Sequence, residues 1–302
     1  MRLPCAAHPL KNISEIIRAQ PLQSPGMIIR PASPRSMSTM SAKLWGPIGS
    51  TRPMSSLVAG TLSGAVFWTH TGPSVKGFLV GLAMFTLTAF GFVVNDILDS
   101  DKDAAAGVMR PIATGMLSRK AAMVCALALL LSTYGVSAFV GSGGKVLAVT
   151  ALALLLYTPA ARYLPLIKGL YVAALCVVPL YYGSAVSRAQ YAWPAYGLLS
   201  IFVAGREAFM DAHEIRGDRR AGMVTIAVAF GEARTKRMGI FIMVLSLACG
   251  VMIATGGVAK VAFSVAILSL LCVMNWPHLS ENKRVELSRI PMLAAAVGIA
   301  CG

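Results

Sequence analysis

From residue 53 onward the chain is a succession of apolar stretches at a regular beat, at roughly 53–70, 77–95, 120–140, 145–161, 169–186, 191–209, 238–255, 260–276 and 290–302. A helix needs about 20 apolar residues to cross about 30 Å of hydrocarbon. The pattern therefore predicts an all-α membrane protein with about nine transmembrane helices, the last of them short. Composition agrees: 56% of the residues are hydrophobic and 13% charged, against about 45–50% and about 25% in soluble domains. The net charge of +15 does not point to nucleic acid, because the basic residues lie in loops between apolar spans. The six cysteines include no CxxC pair and no metal-ligand spacing, and the four histidines are equally scattered.

The connections alternate between short and long. From Arg52 onward there are 21 Lys and Arg, and only Lys76, Lys145, Arg188 and Lys260 lie at the short connections. The positive-inside rule turns the long loops toward the cytoplasm, or toward the equivalent compartment of an organelle. Residues 1–45 differ from the rest, with six Lys/Arg, many Ser and Pro, and Glu15 as the one acid. They read either as a transit peptide or as a start assigned upstream of Met27, Met37 or Met40, and in both cases as a disordered or targeting segment without chemistry. The expected division is thus 1–45 and a membrane domain at 46–302. The membrane is a bacterial inner membrane, or an organellar one if the first segment is a transit peptide.

Against this background the acids are distributed oddly. Eight of twelve fall in two clusters, Asp96, Asp99, Asp101 and Asp103, then Glu207, Asp211, Glu214 and Asp218. Carboxylates near hydrocarbon are costly unless paired, hydrated or bound to a metal. Asn95, Asp99 and Asp103 are spaced i, i+4, i+8, with Asp96 three before Asp99, and Asp211, Glu214 and Asp218 are spaced i, i+3, i+7. Oxygen donors so grouped suit Mg2+, which takes few protein ligands and completes its shell with water and phosphates. A solvated helix face would mix its signs, and the first cluster packs four carboxylates into eight positions. Arg206 and Arg216 are near enough to pair with the second cluster, which alone would read as a salt-bridged helix. Four spans separate the clusters, so both fall on one face of the membrane. The first follows the second span and the second follows the sixth, which suggests two four-helix halves around a central cavity.

The two clusters resemble the signatures of the UbiA superfamily of intramembrane prenyltransferases. Asn95, Asp96, Asp99 and Asp103 match NDxxDxxxD, and Arg110–Ser118 matches an RPIxxGxxS-like stretch. Arg206–Asp218 is similar to the second signature and continues with Gly222, Thr225 and Gly231. The resemblance implies transfer of an isoprenyl group from a prenyl diphosphate to a hydrophobic or aromatic acceptor. It also implies Mg2+ held between the clusters and a bilayer setting. Asn95, Asp99, Glu214 and Asp218 are implied as the first metal ligands, with Asp96, Asp103 and Asp211 next, as ligands or as groups that orient them. Arg110, Tyr157 and Lys168 correspond to the family's basic and tyrosine positions around the diphosphate. The family's DxxxD reads Glu214-xxx-Asp218 here, and Met210 stands where a Lys often precedes it, so Arg206, Arg216 or Lys168 would supply a diphosphate contact. The competing readings are a cation-coupled transporter, disfavoured by acids at helix ends, and a CDP-alcohol phosphotransferase, whose DGxxAR pattern is absent.

Overall fold

The computed structural model describes residues 46–106, 108–164, 168–190, 193–220, 222, 224–280, 283–284 and 287–301. The N-terminal segment expected at 1–45 lies outside them. Within them the helices are α1 (Pro53–Thr71), α2 (Val75–Ala106), α3 (Arg119–Val140), α4 (Gly144–Tyr163), α5 (Lys168–Ser187), α6 (Trp193–Arg220), α7 (Ile226–Phe230), α8 (Glu232–Ile253), α9 (Gly257–Asn275) and α10 (Arg289–Cys301). The described residues contain no strand.

Six of these helices, α2, α3, α4, α5, α8 and α9, are long and apolar enough to cross a membrane. The sequence reading of about nine spans also counted α1, α6 and α10. Serines, threonines and glycines dilute α1, charges at the end of α6 dilute that helix, and α10 is only 13 residues long. The chain is an integral, multi-pass membrane protein.

The helices pack as two halves with separate cores. Phe67, Val80, Leu87, Phe90, Leu147 and Tyr182 join the first, built mainly on α1–α4. Leu180, Phe202, Met243, Phe263 and Leu270 join the second, built mainly on α5, α6 and α8–α10. Glycine sets the closest approach in each half. A Cβ on Gly81 would stand 2.8 Å from the Gly60 carbonyl oxygen, where α1 meets α2. A Cβ on Gly239 would stand 2.6 Å from the Gly205 carbonyl oxygen, where α6 meets α8. With no side chain at these points the backbones touch and gain dispersion along the seam, which drives helix association in lipid. Hydroxyls add polar ties between helices: Ser63 donates to the Pro179 carbonyl at 2.7 Å, and Thr86 and Thr133 share a buried bond of 2.9 Å.

The helical spacing of the acids agrees with the structure, in which both clusters lie on helix ends. The apolar spans drawn to 95 and 209 are shorter than the helices, which run on through the acids, α2 to Ala106 and α6 to Arg220. At 1.5 Å per residue the 32-residue α2 is about 48 Å long, well beyond the thickness of the hydrocarbon. Its apolar part is spent near Asn95, and the acids occupy the overhang. This helix is also the most enclosed of the candidate spans, with 67% of its apolar window buried against protein.

Candidate active site

The end of α2 is clamped by basic groups from outside the helix. Asp96 is 2% exposed, and its Oδ1 accepts from Arg52 Nη2 at 3.2 Å and from Arg110 Nη1 at 3.1 Å. Arg110 Nη1 also stands 3.0 Å from Asp103 Oδ2, within ion-pair distance but out of line for a hydrogen bond. Arg52 lies just before α1, with its guanidinium 4.6 Å above the centre of the Phe92 ring. Burial, and then the Arg110 charge beside it, press this guanidinium below its ordinary range, against the pull of Asp96.

Arg110 is presented by a compact turn whose sequence explains its shape. The Thr114 hydroxyl donates to the Arg110 carbonyl at 2.8 Å, and the Leu117 amide donates to the Pro111 carbonyl. Gly115 takes φ +76, which glycine adopts without strain. Ile112 and Leu117 bury themselves in the first core, and Ser118 caps α3 by accepting from the Ala121 amide. The RPIxxGxxS-like stretch is thus a rigid bracket carrying one arginine.

Asn95 and Asp99 turn elsewhere. Asn95 Oδ1 accepts from the Thr158 hydroxyl at 2.8 Å, and Asp99 is half-buried. Asp103 had been grouped with Asn95 and Asp99, but at about 100° per residue it stands about 80° round the helix from Asn95 and about 20° from Asp96. That is why it meets Arg110. Asp101 is 90% exposed and pairs with Arg119.

At the end of α6, Lys168 Nζ stands 2.9 Å from Asp211 Oδ1 and 3.9 Å from Glu214 Oε2. Asp211 is buried, whereas the Glu214 side chain is 51% exposed. Asp218 is buried, and its Oδ2 has no hydrogen-bond partner among the described residues. Arg206 pairs with buried Glu207 at 3.3 Å and donates from Nε to the Ser288 hydroxyl at 3.1 Å. Arg216 lies on α6, and its side chain is outside the described set.

Tyr157 links the two ends. It packs against Tyr171 with ring centres 5.7 Å apart, and its hydroxyl is within electrostatic reach of Lys168, Glu207, Asp99 and Glu214. Lys102 on α2 reaches Asp211 and Asp218 in the same sense. The sequence-predicted site residues on α2, α4, α5 and α6 therefore collect at one end of the bundle. Sequence reasoning missed Arg52 and Thr158. The signals were an arginine immediately before the proline that opens α1, and a threonine next to Tyr157.

Among the described residues no three carboxylates, histidines or cysteines converge into a metal cage. The donor chemistry nevertheless fits a hard cation. Asp218 Oδ2 is a buried carboxylate oxygen without a hydrogen bond, and oxygen donors on two helix ends suit an ion that takes most of its ligands from water and phosphate.

A model of the UbiA prenyltransferase family matches residues 57–294. Digeranylgeranylglyceryl phosphate synthase of Methanoregula boonei is 33% identical over 194 residues, covering 61% of this chain and 68% of that protein. Two solved structures share the fold. The apo structure of a UbiA homolog from Aeropyrum pernix has a TM-score of 0.68 at 18% identity, over 82% of this chain and 97% of that one. A UbiA homolog from Archaeoglobus fulgidus bound to GPP and Mg2+ has a TM-score of 0.64 at 20% identity, over 85% of this chain and 99% of that one.

Proposed function

The chain belongs to the UbiA prenyltransferase family, and on that footing we propose how its residues carry out the transfer and what they transfer to. The reaction moves an isoprenyl group from a prenyl diphosphate to an acceptor. The allylic carbon–oxygen bond breaks, diphosphate leaves with the electron pair, the acceptor nucleophile bonds to the allylic carbon, and the acceptor gives up a proton. The observation that carries the reading is the gathering of Asn95, Asp99, Tyr157, Lys168, Asp211 and Asp218 at one end of the bundle.

In this reading Asn95, Asp99, Glu214 and Asp218 would hold Mg2+, with Asp211 orienting the second set. Mg2+ bound there would neutralise the leaving diphosphate. Lys168, already ion-paired to Asp211, lends a positive charge beside the phosphates. The Thr158 hydroxyl fixes the direction of the Asn95 amide. The Tyr157 ring, packed at a tilt against Tyr171, would present an electron-rich face to an allylic cation and exclude water from it. Arg110 supplies a further phosphate contact. The apolar helix faces take the prenyl tail.

For the acceptor, the product named for the Methanoregula boonei relative favours an alcohol of the glyceryl phosphate class. The aromatic acceptor expected from sequence is the second arm of the test. Membranes containing the protein are given prenyl diphosphates of several lengths with glyceryl phosphate lipids or aromatic acceptors. Product mass and diphosphate release are then followed. A glyceryl phosphate ether together with released diphosphate supports the leading reading, and a prenylated ring supports the second. Absence of diphosphate release with every pair overturns prenyl transfer and reopens transport.

A further inference from the structure

Of the acids on α6, Glu207 has no part in the prenyl-transfer reading above. It shares their side of the helix: at about 100° per residue it stands about 40° round from Asp211 and about 20° from both Glu214 and Asp218. It differs in depth. At 1.5 Å per residue it lies about 6 Å nearer the apolar part of α6 than Asp211, and about 10 Å nearer than Glu214. The departing diphosphate is drawn toward the acids proposed to hold Mg2+. The acceptor oxygen then meets the allylic carbon from the deeper side, and that is the level of Glu207.

Glu207 is buried, and it is within electrostatic reach of Lys168 and Tyr157. A Cβ on Gly169 of α5 would stand 3.3 Å from the Glu207 Cβ, so glycine there leaves room beside the acid. Glu207 Oε1 pairs with Arg206 at 3.3 Å, and Arg206 is fixed in turn by donating from Nε to buried Ser288. Oε2 has no hydrogen-bond partner among the described residues. A carboxylate kept inside a bundle only to hold an arginine would spend both oxygens, because a buried charge is costly unless its lone pairs are met. The neighbouring candidates for a base are worse placed. Asp211 is spent on Lys168, and His213 stands about 160° round α6 from Asp211.

We propose that Glu207 is the general base of the reaction and takes the hydroxyl proton of an alcohol acceptor on Oε2. A lone pair of the acceptor oxygen forms the bond to the allylic carbon, and the carbon–oxygen bond to diphosphate breaks with its electron pair. The O–H electrons stay on the new ether oxygen, and the proton passes to Glu207. Arg206 holds the carboxylate by Oε1, which leaves Oε2 to the acceptor. The inference rests on the reading above of prenyl transfer to an alcohol.

The test uses the full chain in lipid nanodiscs with two acceptors, a glyceryl phosphate lipid and its analogue carrying a thiol in place of the reacting hydroxyl. A thiol ionises near about pH 8.5 without a base, so at that pH it bypasses the step assigned to Glu207. Glu207→Gln lowers kcat for the alcohol by about a hundredfold or more, the scale of one lost general base, while turnover of the thiol stays within about threefold of the wild type. Equal loss on both acceptors, or alcohol turnover within about threefold of the wild type, overturns the proposal. Should Glu207→Gln not fold, Glu207→Asp keeps the charge beside Arg206 and shortens the reach. A loss of about tenfold on the alcohol alone then supports the base, and equal losses overturn it. Should the wild type reject the thiol, formate added to Glu207→Ala decides. Alcohol turnover that recovers about tenfold supports the base, and no recovery overturns it. Wild-type protein that releases no diphosphate with any acceptor defeats prenyl transfer itself, a different outcome from normal wild-type turnover with an indifferent Glu207→Gln.

Discussion

At the end of α2 the buried carboxylate Asp96 is held by two arginines that come from outside its helix, one from before α1 and one from the turn after α2. At the end of α6 the buried carboxylate Asp211 is held by one lysine from the start of α5, and Glu207 by an arginine that is its own neighbour in sequence. The two ends carry similar acid spacings on helices that occupy corresponding places in the two halves. Their counter-charges differ in kind: flat, fork-shaped guanidiniums on one side, a compact ammonium on the other. The first arrangement is redundant and rigid. The second depends on a single Nζ that reaches Asp211 closely and Glu214 loosely, leaving Glu214 open to solvent. Likeness of motif therefore does not mean likeness of role for each acid.

The comparison breaks first at the acids proposed to hold Mg2+. Asp99→Ala and Asp218→Ala should each lower prenyl transfer by about a hundredfold to a thousandfold with the protein still folded, the scale of one lost transition-state contact. EDTA should stop the wild type and Mg2+ restore it. Near-normal turnover in both variants would remove these residues from the metal site.

The next effect is on stability. Lys168→Met leaves Asp211 buried without its partner and should cost about 2–3 kcal/mol, read as a lower midpoint of thermal unfolding in detergent. Arg52→Gln should cost clearly less, because Arg110 still holds Asp96. Equal losses would mean that the redundancy of the first end is illusory.

Smaller still, the seams of the two halves can be set against each other. Gly81→Ala and Gly239→Ala each drive a methyl into a facing carbonyl oxygen and should destabilise by about 1–3 kcal/mol. Gly197→Ala, with open space around it, should stay within about 0.5 kcal/mol of the wild type. If Gly197→Ala is as damaging as the seam variants, backbone contact is not what joins the helices. The mildest change is Asp101→Ala. Its exposed carboxylate meets only surface groups, and activity should stay within about twofold of the wild type.

Much of this was legible in the sequence. The expected spans end within a few residues of the helices in most places, because the cost of polar backbone and side chains in hydrocarbon is written locally in the hydropathy. The clusters, the bracket around Arg110 and the convergence of Tyr157 and Lys168 were also readable from motif and order. Two things were not. Charged residues can leave the bilayer without ending a helix, so the length of α2 past Asn95 and of α6 past Phe209 was hidden. Pairing across 44 residues, as between Arg52 and Asp96, follows from where α1 and α2 cross, which Gly60 and Gly81 decide and no local pattern records. Asp103 shows a smaller effect of the same kind: eight residues of helix accumulate about 80° of turn from Asn95, with Asp99 midway, which brings Asp103 within reach of Arg110.

The overhang of α2 has a kinetic consequence. With its apolar length filling about 30 Å of hydrocarbon, α2 would carry its acids beyond it, toward the headgroups, and a prenyl diphosphate would reach them with its tail still dissolved in the membrane. The quantity that sets the rate is then the mole fraction of donor in the lipid, not its concentration in the surrounding water. Adding inert phospholipid at constant total donor should slow the reaction by surface dilution, and concentrating the donor into less lipid should restore it.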